Sequence, residues 1–140
     1  MARDSYRSHI EGVPLFAHCN AQQIDHLLRV ADEINIPAGT TFIREGEVGR
    51  EMFIIVDGTA EVTRDGAPVT RLTRNEFVGE LAVLRHTPRN ATVTAQTDLD
   101  VLVLTSRAVE PLLDEIPGMA KALLYDVVDR LGSVEERPVS

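Results

Sequence analysis

The chain has 140 residues, of which 44% are hydrophobic and 26% charged, and its formal net charge is -8 at pH 7. This length suits one domain that can bury its own core without metal ions or disulfides. The acidic balance argues against DNA or RNA as the main partner, because binding to nucleic acid phosphates depends on Lys and Arg.

We expect neither a membrane span nor an export signal. The longest apolar runs, such as residues 52–56, are far shorter than the ~20 residues that a transmembrane helix needs. No apolar signal core follows the polar N-terminus, so the expected location is the cytoplasm, without a membrane partner. The single cysteine, Cys19, cannot form an internal disulfide.

The N-terminal third combines a polar stretch with a helical pattern. Residues 1–12 read as a loose polar arm. Asn20 is placed to cap a helix that runs through about Glu33, and Ile24, Leu27 and Leu28 give this helix one apolar face. The division that follows is an arm over 1–12, one domain over 13–132 and a flexible tail over 133–140.

From Pro37 onward the apolar period shortens to nearly two, which is typical of strands. Asp57-Gly58 and Asp65-Gly66 lie between apolar segments and are hairpin signals, because both turn residues tolerate positive φ. Many short strands with frequent turns predict an antiparallel sandwich or barrel. The six predicted strand segments are 40–44, 51–56, 59–64, 69–73, 91–97 and 99–104.

After Leu104 the pattern turns helical again. Ser106 is a plausible N-cap for one helix, and Pro117 suits the first position of another that ends near Gly132. An apolar stripe on this last helix either packs on the β structure or forms a mobile lid or a homodimer seam; its residues are Ala120, Leu124, Val127 and Leu131. The resulting plan is mainly β with flanking helices: one N-terminal helix, an antiparallel β-roll and two C-terminal helices.

The segment at 77–93 carries the chemistry. Gly79 lets the backbone approach a ligand closely, and a short helical turn at 80–84 would present free N–H groups to an anion. A guanidinium at Arg89 can grip a phosphate through two N–H groups. Glu80 would repel that phosphate and is better used on a neutral hydroxyl, which describes a site for a small phosphorylated sugar. An internal Glu80–Arg89 ion pair that only staples a loop is the alternative.

Two stretches of the sequence resemble the cyclic nucleotide-binding domain family, which includes the sensor domains of the catabolite activator protein and of protein kinase A regulatory subunits. The first is Gly39 followed by GEVGREMFIIVDG at 46–58. The second is VGELAV at 78–83, five further residues, and RNATVTA at 89–95. The likeness extends over about 15–131 and implies a jelly-roll-like, double-stranded β-helix.

By this resemblance, Arg89 binds the cyclic phosphate and Glu80 accepts the ribose 2′-hydroxyl. Backbone N–H groups near Leu81, Ala82 and Asn90 add to the phosphate cradle, and Gly79 lets the ribose approach. Tyr125 or Arg130 would cap the base. The implied cyclic-nucleotide-binding residues are Val62, Val69, Val78, Gly79, Glu80, Leu81, Ala82, Arg89, Asn90 and Ala91. Asn90 departs from the family's usual small residue, and its amide could contact the phosphate or an exocyclic group of the base. The expected ligand is cyclic AMP, with cyclic GMP as the second choice.

The expected function is a stand-alone sensor that binds a cyclic nucleotide and acts through an unidentified protein effector or its own dimer. The chain ends eight residues past Gly132, which leaves no room for the helix-turn-helix of the resembled transcription factors. We expect no enzyme activity, cofactor or metal. A degenerate scaffold without ligand is the main alternative. A cupin-like enzyme is disfavoured because the four histidines lack metal-ligand spacing; they are His9, His18, His26 and His86.

Overall fold

A computed structural model describes residues 2–79 and 88–116 together with residues 118, 121 and 124. Over these residues the chain forms three α-helices, one 3-10 turn and eight strands. In chain order they are α1 (Ala2–Glu11), the 3-10 turn (Pro14–Phe16), α2 (Ala21–Val30), β1 (Asp32–Ile36), β2 (Thr41–Ile43), β3 (Glu51–Asp57), β4 (Ala60–Arg64), β5 (Ala67–Leu72), β6 (Phe77–Val78), β7 (Thr92–Ala95), β8 (Leu99–Thr105) and α3 (Ser106–Glu115).

The strands form two four-stranded sheets in which every pairing is antiparallel. The first sheet has the order β1-β8-β3-β6 and the second the order β2-β7-β4-β5. The predicted antiparallel β-roll with flanking helices is therefore confirmed. Two of its strands were missed. β1 has four exposed residues out of five, so it lacks an apolar alternation, and β6 has only two residues.

The central strands β3 and β8 are buried on both faces, which explains their unbroken apolar runs. Met52 and Ile54 point to the helices, whereas Phe53 and Ile55 point between the sheets. We call the first region the helix-side core and the second the roll core. The helix-side core contains Ile10, Val13, Phe16, Ile24, Leu27, Leu28, Ala31, Met52, Ile54, Leu102, Leu104, Val109, Leu112 and Ile116. The roll core contains Ile36, Ile43, Phe53, Ile55, Ala60, Val62, Leu72, Val78, Ala91, Val93, Ala95, Leu99, Val101 and Val103.

Helix α2 begins as predicted and ends earlier than predicted. The Asn20 side chain accepts from the N–H of Gln23 at 2.9 Å, and the Gln23 side chain accepts from the N–H of Asn20 at 2.8 Å. This reciprocal pair is a capping box. The predicted helical stretch at 31–33 is wrong, because Asp32 and Glu33 pair with β8 as the start of β1.

The predicted loose arm over residues 1–12 is wrong, because α1 occupies this stretch and packs on the domain. Ile10 is fully buried in the helix-side core. Arg7 forms an ion pair with Asp25 of α2. His9 is also buried, and its Nδ1 lies 2.6 Å from Oδ1 of Asn75. The wider division of the chain at residues 13 and 132 stays a prediction.

The two Asp-Gly pairs form different kinds of connection between strands. Asp65 and Gly66, with φ of 54° and 81°, join β4 to β5 in the predicted hairpin. Asp57 and Gly58 do not make a hairpin, because β3 and β4 belong to different sheets. The chain crosses between the sheets there. A Cβ on Gly58 would overlap the Asp98 carbonyl oxygen.

Helix α3 begins one residue earlier than the predicted cap implies. Thr105 is the N-cap and Ser106 is already helical, which corrects the assignment of Ser106. The N–H of Ser106 donates to the carbonyl of Arg50 at 2.7 Å and so ties α3 to the start of β3. Of the predicted last helix the structure describes only residues 118, 121 and 124, which are helical; Pro117 and most of the apolar stripe lie outside the described residues. No helix in the described part of the chain is long and apolar enough to cross a membrane.

Candidate functional site

Arg89 is the one charged side chain among the described residues with less than a tenth of its surface exposed; its exposed fraction is 6%. Its backbone is held by the loop before β3. The N–H of Arg89 donates to the Glu47 carbonyl at 2.8 Å, and its carbonyl accepts from the N–H of Gly46 at 2.9 Å. Val48 forms a β-bridge with Pro88 beside this pair. The position of Arg89 is therefore set by residues about forty positions earlier in the chain.

The guanidinium of Arg89 is anchored at one nitrogen and available at another. Nη2 donates to the carbonyl of Glu51 at 2.8 Å, whereas Nη1 is buried without a hydrogen-bond partner among the described residues. Burial lowers the pKa of Arg89, and the nearby Glu51 carboxylate partly opposes this effect. Since arginine is not deprotonated in proteins, the site contains a recessed positive charge whose Nη1 can donate a hydrogen bond.

Gly79 lies directly against this guanidinium, as the sequence predicts for the two residues. Its φ of +89° is left-handed, which favours glycine. A Cβ at this position would also lie 2.7 Å from Nη1 of Arg89 and 2.7 Å from the Glu51 carbonyl oxygen. Backbone conformation and space therefore both require glycine here.

Gly49 faces the same guanidinium and was not identified in the sequence. A Cβ there would overlap Nε, Cζ and Nη2 of Arg89. Only the glycine-rich loop at 46–49 could have pointed to it, and that signal does not reveal a contact with a residue forty positions away.

A second arginine, also missed, fixes the strand that follows Arg89. Nε of Arg64 donates to the carbonyl of Asn90 at 2.9 Å. Beside it, Glu45 accepts from the N–H of Asp65 at 3.0 Å, and the N–H of Glu45 donates to Oγ1 of Thr92 at 3.1 Å. These bonds connect the β4–β5 turn to the segment that carries Arg89.

Two of the three residues predicted for the apolar wall, Val62 and Val78, lie fully buried in the roll core. Ala91, another predicted site residue, is also fully buried there. Val69 is 36% exposed, and the β4–β5 register skips it, since Val62 pairs with Thr70 and Thr63 pairs with Pro68. Its place beside a base stays a prediction.

Several predicted site residues lie outside the described residues. These are Glu80, Leu81 and Ala82 in the cassette, and the base-cap candidates Tyr125 and Arg130. Their roles stay predictions, as does the alternative Glu80–Arg89 ion pair. Asn90 is described: it is half-buried and its carbonyl is held by Arg64.

The described residues form neither a metal site nor a reactive thiol site. They contain no group of three or more His, Cys, Asp or Glu side chains that could hold a metal ion. Cys19 packs against the helix-side core, and burial raises the pKa of its thiol, which disfavours the reactive thiolate.

A recessed guanidinium in a domain built on an antiparallel roll is the main chemical feature of the described residues. Residues 33–115 match the family model of the cyclic nucleotide-binding domain. This match covers more than half of the chain, and the chain belongs to the cyclic nucleotide-binding domain family. The resemblance found in the sequence is thereby confirmed.

Curated relatives include ion channels and kinase subunits. The chain is 32% identical over 123 residues to a cyclic nucleotide-gated potassium channel of Rhizobium etli, a match that covers 88% of this chain and 34% of the channel. It is 34% identical over 109 residues to the cAMP-dependent protein kinase regulatory subunit of Schizosaccharomyces pombe, covering 77% of this chain and 26% of the subunit. The chain therefore spans about a third or less of the length of these relatives.

Solved structures share the fold closely. Cyclic AMP-bound PfPKA-R superposes with a TM-score of 0.79 at 26% identity, covering 91% of this chain and 44% of that one. The N-terminal domain of a transcriptional regulator from Streptomyces coelicolor gives 0.72 at 30% identity, covering 88% and 89%. The catabolite activator protein of Thermus thermophilus gives 0.74 at 23% identity over 85% and 58%, which shows the fold alone.

Proposed function

We propose that this domain binds cyclic AMP and that Arg89 contacts the cyclic phosphate. The observation that supports this most strongly is the buried Nη1 of Arg89, which has no hydrogen-bond partner in the described part of the chain. A buried donor without an acceptor costs about 1–3 kcal/mol, and more when the group is charged. A phosphate oxygen at Nη1 would supply the missing acceptor.

Charge balance favours a cyclic phosphate at this guanidinium. A cyclic phosphodiester carries one negative charge, and Arg89 supplies one positive charge in a region that water reaches poorly. A buried charge is tolerated when an opposite charge with good hydrogen bonds compensates it. The neighbouring backbone at Gly49 and Gly79 has no side chains that would keep such a ligand away.

The remaining contacts of the proposed site are carried over from the family resemblance. Glu80 accepts from the ribose 2′-hydroxyl, and N–H groups near Leu81, Ala82 and Asn90 add to the phosphate cradle. Val62, Val69 and Val78 line the base, and Tyr125 or Arg130 covers it. The matched kinase regulatory subunits are cAMP-dependent by name and PfPKA-R is cyclic AMP-bound, which supports cyclic AMP as the ligand. Asn90 keeps cyclic GMP as the second choice.

The proposed role is regulatory rather than catalytic. Ligand binding would shift an equilibrium between two arrangements of the domain, and it can do so only by as much as its affinity differs between them. The helices predicted at 106–131 would then settle over the base. A partner protein, or a second copy bound through the apolar stripe, would receive the signal.

Calorimetry with cyclic AMP and cyclic GMP tests the proposal on folded protein that is free of carried-over nucleotide. We expect Arg89→Ala to lose about 2–5 kcal/mol of binding free energy, which is a rise in Kd of at least about 30-fold. The matched control is Arg29→Ala, an exposed arginine of α2 outside the roll, which should bind as the wild type does.

Two results would contradict the proposal. If Arg89→Ala bound normally, the guanidinium would have no part in recognition. If the folded wild-type chain gave no heat with either nucleotide, the ligand-free scaffold would become the better account.

The ribose contact is tested with Glu80→Gln. This variant should weaken the binding of cyclic AMP and matter much less for 2′-deoxy cyclic AMP, because the deoxy ligand lacks the hydroxyl that Glu80 accepts. Equal losses for the two ligands would remove Glu80 from this role.

A further inference from the structure

The ladder between β4 and β7 ends just before the segment that carries Arg89. Its last pair is Thr63–Thr92, and residues 89–91 lie outside both strands. The backbone groups of these residues must therefore find other partners. The carbonyl of Asn90 finds one in a side chain of β4, since Nε of Arg64 donates to it at 2.9 Å.

Hydrogen bonds of two kinds hold the backbone of this segment. The N–H of Arg89 donates to the Glu47 carbonyl, and the Arg89 carbonyl accepts from the N–H of Gly46. A side-chain substitution does not remove these bonds, because every residue except proline carries the same backbone groups. The bond from Arg64 to Asn90 belongs to a side chain, so a substitution can remove it while the backbone bonds stay.

The turn that follows Arg64 is itself tied to the same segment. The N–H of Asp65 donates to the Glu45 carboxylate at 3.0 Å. The N–H of Glu45 donates to Oγ1 of Thr92 at 3.1 Å. Two separate connections, one at Asn90 and one at Thr92, therefore join the β4–β5 turn to the segment that carries Arg89.

The bond from Arg64 sets the direction of the peptide group between residues 90 and 91. A peptide group is planar, so its carbonyl and its N–H turn together. If this group rotated, the carbonyl oxygen of Asn90 could face an incoming phosphate and would repel it. A site whose backbone is already held in the bound arrangement loses less entropy when the ligand arrives.

We propose that Arg64 is a positioning residue for phosphate recognition: its Nε holds the Asn90 carbonyl, so that the segment around Arg89 keeps the orientation that receives the phosphate. This inference rests on the proposed function of Arg89. Arg64 is half-buried and needs no contact with the nucleotide in this role, because it acts through the backbone of Asn90.

Two substitutions at position 64 separate the hydrogen bond from the positive charge. Arg64→Gln removes the charge but keeps an N–H donor, because Nε2 of glutamine is as many bonds from the backbone as Nε of arginine. Arg64→Met has the same reach with neither the charge nor the donor. The matched control is Arg71→Met, which removes an exposed arginine of the neighbouring strand β5.

The binding test is calorimetry with cyclic AMP. We expect Arg64→Met to raise Kd about tenfold, whereas Arg64→Gln and Arg71→Met should keep Kd within about threefold of the wild type. If either of these two variants lost as much affinity as Arg64→Met, charge rather than the hydrogen bond would act, and the inference would be overturned. An unchanged Kd for Arg64→Met would overturn it as well.

Amide hydrogen exchange followed by NMR tests the contact without a ligand. In Arg64→Met the N–H of Arg89 should exchange at least about threefold faster, because its segment opens more often. The N–H of Ile55, which donates to the Glu76 carbonyl, should keep its rate, and Arg64→Gln should change neither. Faster exchange at every amide, or a variant that does not fold, would show a general structural role and overturn the inference.

The two experiments also separate this inference from the proposed function. If the folded wild type binds neither cyclic AMP nor cyclic GMP, the proposed function fails and the role of Arg64 in phosphate recognition fails with it. If the wild type binds cyclic AMP and Arg64→Met binds it equally well, only the inference about Arg64 fails.

Discussion

The two apolar cores share β3 and β8 but differ in what they enclose. The helix-side core joins large side chains from helices and strands, such as Phe16, Leu27 and Leu104, all fully or almost fully buried. The roll core contains smaller residues, including Ala60 and Ala91, and lies beside the buried positive charge of Arg89.

This difference separates stability from recognition within one small fold. Packing of large side chains on the helix side attaches the helices to the first sheet, and such contacts contribute strongly to folding. The roll side keeps Arg89 recessed, and its Nη1 has no hydrogen-bond partner among residues 2–79 and 88–116, an arrangement that does not help an unliganded protein. Substitutions in the helix-side core should therefore lower the free energy of unfolding and leave binding unchanged. Substitutions around Arg89 should instead weaken binding and change the free energy of unfolding less.

The largest expected effect is on the helix side. Leu104→Ala should lower the free energy of unfolding by about 2–5 kcal/mol, because a fully buried leucine is replaced by a cavity. Its Kd for cyclic AMP should stay near that of the wild type. Val62→Ala is the matched change in the roll core and should cost less stability but weaken binding. Urea unfolding and calorimetry measure both, and the reverse pattern would refute the separation.

Arg89→Met should give the opposite behaviour to Leu104→Ala. We expect the free energy of unfolding without ligand to change by less than about 1 kcal/mol, because removing a poorly solvated charge offsets the lost bond to Glu51. The wild type should gain about 2.7 kcal/mol at a ligand concentration of 100 times Kd, and the variant should gain nothing. Thermal unfolding with and without cyclic AMP measures this, and a large loss of stability without ligand would contradict it.

The two Asp-Gly turns allow a finer comparison. Gly66→Ala should cost about 1–2 kcal/mol, because its φ is left-handed and its surroundings are open. Gly58→Ala should cost more, since the added Cβ would also overlap the Asp98 carbonyl and lie 2.8 Å from Cδ2 of Leu99. Denaturant unfolding of the two variants measures the difference. Equal costs would mean that the crossing between the sheets relaxes easily.

The smallest expected effect is at the start of α2. Asn20→Ala removes one half of the capping box with Gln23 and should cost about 1 kcal/mol of unfolding free energy. Because this cap serves the helix side, Kd for cyclic AMP should not change. A variant as stable as the wild type in urea would show that the cap contributes nothing here.

The properties of neighbouring residues were sufficient to predict several elements of the fold. The cap at Asn20, the run at 52–55 and the Asp65-Gly66 hairpin each depend on neighbouring residues, and each was predictable from sequence. Asp57-Gly58 has the same local chemistry as Asp65-Gly66 and a different outcome, because the choice of pairing partner depends on distant strands. Helix α1 was not predicted for a related reason, because Ile10 is buried against residues of the helix-side core that are distant in the sequence.

The candidate site also combines residues that one sequence segment predicts with residues that only the folded structure brings together. Arg89 and Gly79 belong to one sequence segment, and their proximity was predicted from that segment together with the family resemblance. Gly49, Arg64 and Glu45 act on that segment through three-dimensional contacts that no spacing reveals. Contacts of this kind become visible only when the strands are assembled.

The partly buried hydrogen bond between His9 and Asn75 joins residues 66 positions apart. Asn75 lies in the turn that leads through β6 to Gly79. The first helix is therefore tethered to the approach to the glycine turn, and a displacement of that turn would be felt at the beginning of the chain. A truncated protein that starts after residue 12 would lose this tether, and α1 therefore supports the folded domain on which it packs.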